Sequence, residues 1–304
     1  MEIKKYSKDD LSGHLDEFCE LFHKVYTAPA DREIISQRYL DNPYGDLCMY
    51  VALEGNRIVA NYSVVPINVL INGRPCRAAL SLNTMTDPEY EGRGLFTTLA
   101  SGLYNDLEKS GYAMVIGFPN FMANRIFNSR LGWKTVLEIP TLKLSLNDID
   151  PPGGEELKEG FFEGMTFSGD ADFCNAEMSP EYINWRFKNN REKNYKVLSI
   201  DSSNWIIYQP YNNEINLTKL SATDISNAKR LIEAVASAGK AGGYESLTAW
   251  SRINSGVHDL MEKTGFRVAS PIRTFGLRCF DASVFETVSD PRKWSLQMGD
   301  CNIY

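Results

Sequence analysis

One segment of this sequence has residue types and an order that point directly to chemistry: Glu91-Gly92-Arg93-Gly94-Leu95-Phe96. It stands where an apolar strand, Leu80 to Thr86, gives way to a helix in which Leu95, Leu99, Leu103 and Leu107 recur every fourth residue. Glycines at such a junction let the backbone come close to a ligand. The first N–H groups of the helix have no partner within it and point into the same space. Together with the helix dipole and the Arg93 cation they suit an anion such as a pyrophosphate. A tight turn that binds nothing is the plain alternative, and the turn alone does not separate the two. The dinucleotide fingerprint GxGxxG is absent, and so is the phosphate loop GxxxxGK followed by Ser or Thr.

The elements that must position this turn follow from the apolar pattern. Residues 12–25 and 32–39 read as helices, the second stopping before Asn42-Pro43. Residues 47–53 and 57–71 read as strands, with Pro66 as a point where the second can break. Asn72-Gly73 is a hairpin turn, and residues 77–86 return as the next strand, completing an antiparallel meander. After the helix that begins near Leu95 come a nearly all-apolar, central strand over 112–118 and a short helix over 120–131. Leu131-Gly132-Trp133 ends that helix, and residues 134–146 read as two short strands around Pro140. A leading meander does not fit a doubly wound parallel sheet.

The block Thr86-Asp87-Pro88-Glu89-Tyr90-Glu91-Gly92-Arg93-Gly94-Leu95-Phe96 resembles motif A of the GNAT N-acetyltransferase superfamily, Gln/Arg-x-x-Gly-x-Gly/Ala. Aligned on Glu91 to Phe96, Glu91 replaces the Gln or Arg and Phe96 the last small residue. The Pro and Tyr ahead of Gly-Arg-Gly and the later Leu131-Gly132-Trp133 are similar to the family as well, over roughly residues 10–146. The resemblance implies a mixed α/β fold, a mainly antiparallel sheet flanked by helices, and acetyl-CoA as co-substrate. It implies a V between the strand before motif A and the next parallel strand. Thr84, Met85 and Thr86 would bond the pantetheine there through their backbone, adding it like a strand. Gly92, Arg93, Gly94, Leu95, Phe96 and Thr97 would hold the pyrophosphate. Asn120 and Asn124 would lie near the cofactor on the other arm of the V, with ordinary helix capping as their other reading. The tyrosine acid of many members falls at Asn128, and no catalytic residue is assigned.

The second half echoes the first. Residues 179–187, with Asn189, Tyr195 and Val197-Leu198 after them, parallel residues 34–39, Asn42, Tyr50 and Val51 to Leu53. Met261 to Phe266 parallels Asn128 to Trp133, and strands over 205–208 and 215–220 precede a helix over 225–237. The phosphate turn is gone: Leu220-Ser221-Ala222-Thr223-Asp224 has no glycine and places an acid there. This is similar to a tandem GNAT arrangement with a degenerate second copy, and such a repeat licenses a duplicated fold rather than a duplicated activity. Asn147 to Glu156, with two prolines and two glycines, marks the linker. The expected domains are 1–150, binding acetyl-CoA, and 151–304, GNAT-like and a candidate acceptor-binding domain. Trp185-Arg186-Phe187 reads as a substrate surface or, by preference, a buried helix end.

Composition bounds the rest. A chain of 304 residues suits two domains, and 43% hydrophobic residues can fill two cores. A net charge of -7 argues against a nucleic-acid partner. The polar N-terminus lacks the apolar core of a signal peptide, and no apolar run is long enough to span a membrane. The six scattered cysteines and three histidines form no metal-ligand spacing, so no metal is expected and a cytoplasmic, reduced setting fits. The expected activity is N-acetyl transfer from acetyl-CoA to a primary amine of a small molecule or amino sugar by direct attack. The alternatives are a non-catalytic CoA-binding or scaffold protein and, lower, a Fem-like transferase using aminoacyl-tRNA, which an acidic chain suits poorly.

Overall fold

The structure, a computed structural model, describes residues 1–26, 30–148, 157–160, 164–167 and 172–301. By its contacts the chain divides into two units, Met1–Leu137 with Thr274–Pro291, and Glu138–Arg273 with Arg292–Tyr304.

The first unit opens with β1 (Glu2–Tyr6), a strand the apolar pattern does not announce, because four of its five residues are exposed. Helices α1 (Lys8–Gly13), α2 (Leu15–Val25) and α3 (Arg32–Tyr39) follow. Ser7 and Asp10 form a capping box on α1, and the Asp31 carboxylate caps α3 by accepting from Ile34 N–H at 2.9 Å. Strands β2 (Cys48–Glu54), β3 (Arg57–Ile71) and β4 (Arg74–Thr86) make the expected meander, with Asn72 and Gly73 at φ 50° and 73° in the turn. Pro66 does not break β3: it pairs with Ala79 of β4, and its carbonyl accepts from Asn42 Nδ2 at 2.9 Å. Helix α4 (Leu95–Lys109), strand β5 (Met114–Gly117) and helix α5 (Phe121–Arg130) complete the run. The strand order is β1-β2-β3-β4-β5, antiparallel except for the parallel pair β4–β5. Leu95, Leu99, Leu103 and Leu107 bury one face of α4 in a core with Val59, Tyr62, Val64 and Val115.

Residues 134–145 form one strand, β6 (Lys134–Ser145), not two short ones. A proline inside a strand removes one donor without forcing the backbone out of extended geometry. The second unit continues with β7 (Lys158–Glu159), β8 (Asn175–Ala176) and α6 (Pro180–Ile183), which runs on as a π-helical turn, Asn184–Lys188. Trp185, Arg186 and Phe187 are buried in that turn, so the helix-end reading holds. Then come β9 (Lys196–Ser199), β10 (Trp205–Tyr211), β11 (Glu214–Ser221), α7 (Ile225–Ala241), β12 (Ser246–Ala249), α8 (Gly256–Lys263) and β13 (Arg267–Cys279). The order is β6-β12-β11-β10-β9-β7, with β11–β12 again the parallel pair. Ala228, Leu231, Ile232 and Val235 of α7 pack on Ile206, Leu217 and Leu247.

The strand beyond each parallel pair comes from outside its own stretch of sequence. In the first unit, Gly276 to Cys279 of β13 pair with Gly117 to Met114 of β5, and α9 (Phe285–Ser289) follows there. In the second, Ser145 to Leu142 of β6 pair with Ser246 to Ala249 of β12. The contact division therefore falls inside β6, between Leu137 and Glu138, while the expected linker at 147–156 lies almost wholly outside the described residues.

Candidate active site

Strands β4 and β5 stay together only briefly: Ala78, Ala79 and Leu80 pair with Met114, Val115 and Ile116. Beyond Leu80, β4 runs on to Thr86, and among the described residues no strand pairs with it on that edge. On its other edge β4 carries a bulge, because Ser63 pairs with Leu82 and Asn61 with Met85, so that Asn83 and Thr84 together oppose Tyr62. Asn83 sits at φ 39°, a region that asparagine tolerates better than most residues. Four side chains hold the bulge. Asn61 Nδ2 donates to Asn83 O at 3.0 Å, and Arg38 Nη1 and the Tyr39 hydroxyl donate to Asn83 Oδ1 at 2.9 and 3.3 Å. The Tyr26 hydroxyl donates to Thr84 O at 3.0 Å.

Asp87 then turns the chain. It caps the 3₁₀ turn Pro88–Tyr90 through Glu89 N–H and is itself buried. Burial pushes its carboxyl up, but the Lys24 ammonium at 2.8 Å, the Glu89 N–H and Arg57 outweigh that and hold it below the ordinary carboxylate value. Gly92 and Gly94 both adopt left-handed backbone, φ 75° and 74°, which a side chain would strain.

Gly94 is also the N-cap of α4, and no side chain caps that helix. The Thr97 and Thr98 hydroxyls donate back to Gly94 O, at 2.8 and 3.0 Å, rather than accepting from the helix N–H groups. The open end of the dipole carries no acid in its first turn. Arg93 is held beside it, with Nη2 donating to Glu89 O at 3.0 Å and the guanidinium 4.6 Å from the centre of the Tyr90 ring.

A recess of about 480 Å³ lies between this loop, the open end of β4 and the start of α5. Thr84, Thr86, Gly92, Arg93, Gly94, Leu95, Phe96, Thr97 and Asn120 line it. Met85 does not; alternation turns its side chain inward, where it is 1% exposed. Asn120 caps α5, its Oδ1 accepting from Ala123 N–H at 2.9 Å. Asn124 is outside the lining: its Oδ1 accepts from Asn128 Nδ2 at 2.8 Å and from the Thr135 hydroxyl at 3.1 Å. The predicted site lacks Tyr90, Glu91, Met122, Ala123, Ile126 and Arg130, which also line the recess. Ala123, Ile126 and Arg130 share one face of α5 at helical spacing, a signal that was available once Asn120 was placed at the helix start. Arg130 adds a second cation.

No proton donor suited to a leaving thiolate stands at the position that the family resemblance marks. Asn128 ties α5 to β6, accepting from Thr135 N–H at 3.0 Å. The Tyr104 hydroxyl is fully buried against Tyr62, at 2.6 Å, and takes the Trp133 indole N–H at 2.8 Å; burial raises it well above its ordinary value and pushes Tyr62 up to about 12. Tyr112 lies at the far end of α4 beside Cys48 and under the Arg77 guanidinium. Tyr90 lines the recess, with its hydroxyl accepting from Arg57 Nη2 at 3.1 Å. None of the six cysteines lines it. Among the described residues no three His, Cys, Asp or Glu side chains gather as metal ligands, and no helix is long and apolar enough to cross a membrane.

Residues 2–136 match the family model of the acetyltransferase (GNAT) domain. Solved structures share the fold over nearly the whole chain. A conserved protein of unknown function from Enterococcus faecalis V583, a probable N-acyltransferase, is 15% identical, covering 94% of this chain and 74% of its own, at a TM-score of 0.70. GCN5-related N-acetyltransferases from Kribbella flavida and Anabaena variabilis ATCC 29413 are 15% and 12% identical. Each covers 92% of this chain and 73% of its own, with TM-scores of 0.64 and 0.66. No curated protein matches the sequence. Residues 2–136 are thus similar to a GNAT domain, and the chain shares the fold of these solved structures.

Proposed function

We propose that this protein is an acyl-CoA-dependent N-acyltransferase whose donor is acetyl-CoA, bound by the first unit, and whose acceptor is a primary amine of a small molecule or amino sugar. The observation that carries this reading is the uncapped N-terminus of α4, set behind two left-handed glycines and opening on a recess beside the unpaired edge of β4. Free helix N–H groups with Arg93 and Arg130 suit a pyrophosphate and a further phosphate. A free strand edge suits a chain of amides.

The chemistry asks little covalent work of the protein. The amine nitrogen attacks the thioester carbonyl carbon, the C–S bond breaks, and its electron pair leaves on sulfur. A backbone N–H near Thr86, on the open edge of β4, polarises the carbonyl. The amine proton leaves to solvent or a water chain, and solvent returns one to the thiolate, since the buried phenols of Tyr62 and Tyr104 are spent on each other. The absence of cysteine from the lining favours direct attack over an acyl-cysteine intermediate. The second half is read as a degenerate GNAT-like domain and the candidate acceptor-binding domain. Calorimetry with acetyl-CoA tests donor binding. A screen of amine acceptors, followed by free thiol, then separates an enzyme from a CoA-binding scaffold, the reading that the occupied Asn128 favours.

A further inference from the structure

β11 parts from β12 much as β4 parts from β5. Its pairing ends at Leu217 with Ala249, yet the strand continues to Ser221. In this unit the exposed edge is taken. Leu220 N–H donates to Gln297 Oε1 at 2.7 Å, and Gln297 Nε2 donates to Leu220 O at 3.1 Å. One carboxamide thus closes the pair of bonds that an adjoining strand, or an amide-bearing ligand, would make. Both groups of a strand residue point to one edge, and Leu220 stands opposite Ile206 of β10, so its two bonds to Gln297 place the edge in use on the side away from β10, toward β12.

The segment bearing Gln297 is fixed by further contacts. Lys219 Nζ meets Asp300 Oδ1 at 2.8 Å with both side chains buried, and Asp300 Oδ2 accepts from Gln297 N–H at 2.8 Å. Gly299 lies flat on β11: an added Cβ would come within 3.0 Å of Thr218 O. Arg186 Nη2 donates to Cys301 O at 2.9 Å. An independent observation concerns the helix that follows β11. Where α4 starts uncapped, α7 starts with Asp224, whose Oδ1 accepts from Asn227 N–H at 2.8 Å.

We infer that the second unit holds its own stand-in for an acyl carrier: Gln297 takes the strand edge that a carrier's amide would use, and Asp224 takes the helix end that its phosphates would use. Trp294–Cys301 is then a permanent occupant, and this unit is closed to acyl-CoA. The identity of the excluded ligand rests on the reading of the first unit.

Two measurements on the full chain test this. Hydrogen exchange read by mass spectrometry should show the Leu220 amide protected without any ligand and unchanged by acetyl-CoA. Gln297→Ala should speed its exchange about tenfold, and Gln297→Glu, of the same shape but without the donor to Leu220 O, should also loosen it. Calorimetry should give one equivalent of acetyl-CoA, abolished by Gly94→Glu. Protection of residues 218–222 by acetyl-CoA, binding of acetyl-CoA or pantetheine that survives Gly94→Glu, or a Leu220 amide indifferent to both Gln297 variants would overturn it. If acetyl-CoA bound nowhere, the first-unit reading would fall, and exchange at Leu220 would still decide this one.

Discussion

Each unit contains a fork of two parallel strands followed by helices, and the two forks have opposite fates. In the first, β4 passes Leu80 into open space, and α4 begins behind Gly94 with its N–H groups uncapped. In the second, β11 passes Leu217 into the grip of Gln297, and α7 begins behind a capping Asp224. The same framework leaves a strand edge with no paired strand among the described residues in one place and an edge held by a side chain in the other. Buried backbone groups must find partners, so a fork that is left open marks a place where a ligand can supply them. A left-handed glycine pair keeps one fork open; a carboxylate and a segment some eighty residues away close the other.

The contrast can be broken from either side. The largest effect is expected at Gly94. Gly94→Glu strains the left-handed turn and sets a negative charge against the anion site. Two or three charge-assisted bonds at about 1.5–3 kcal/mol each would be lost, several kcal/mol in acetyl-CoA binding. Calorimetry checks it, and unchanged affinity in a folded variant would sink the assignment. Next comes Asp300. Asp300→Ala leaves Lys219 charged and alone in a core, costing about 3–5 kcal/mol of stability. Urea unfolding should show this, while acetyl-CoA affinity stays near the wild-type value; an affinity that collapsed with it would mean the two forks are not independent.

Removing the cap from the second fork is milder. Asp224→Ala should destabilise α7 by about 1 kcal/mol without creating a second acetyl-CoA equivalent, because Gln297 still holds the edge; a second equivalent in the titration would show that the cap alone closes the site. The smallest effect belongs to Asp87. Its folded carboxyl lies below the ordinary value of about 4, so its contribution to stability is complete above that pH and is lost as acid carries the pH down through the folded value. Asp87→Asn should remove that part of the acid slope in thermal melts between neutral pH and pH ~3. An unchanged slope would mean that the Lys24 contact does not count in solution.

Much of the first unit could be read from its residues. The Asn72-Gly73 hairpin, the four-residue leucine spacing of α4 and the glycine-bearing turn each announce one local geometry, and the lining at Gly92 to Thr97 follows from that turn. Long-range partners could not be read. β1 carries almost no buried side chain, so its pairing with β2 leaves no period to detect. β6 and β13 each pair with a strand far away in the sequence, and hydrophobic alternation does not say which neighbour a strand chooses. Asn124 has the right type and spacing for a ligand contact, and only the structure shows its Oδ1 accepting from Asn128 and Thr135.

The sequence by itself determined the conformations that one residue can impose on its neighbours: positive φ at Gly92 and Gly94, a missing cap before Leu95, a carboxylate cap at Asp224, and the buried face of each helix. Those are short-range preferences of backbone and side chain, legible one turn at a time. Only the tertiary structure decided which strand edge gains a partner. Nothing local to Leu220 names Gln297 as its partner, nor Lys219 as the mate of Asp300; residues so far apart in the chain meet because buried donors and charges are costly without partners, and in the first unit no strand among the described residues pairs with the far end of β4 on that edge.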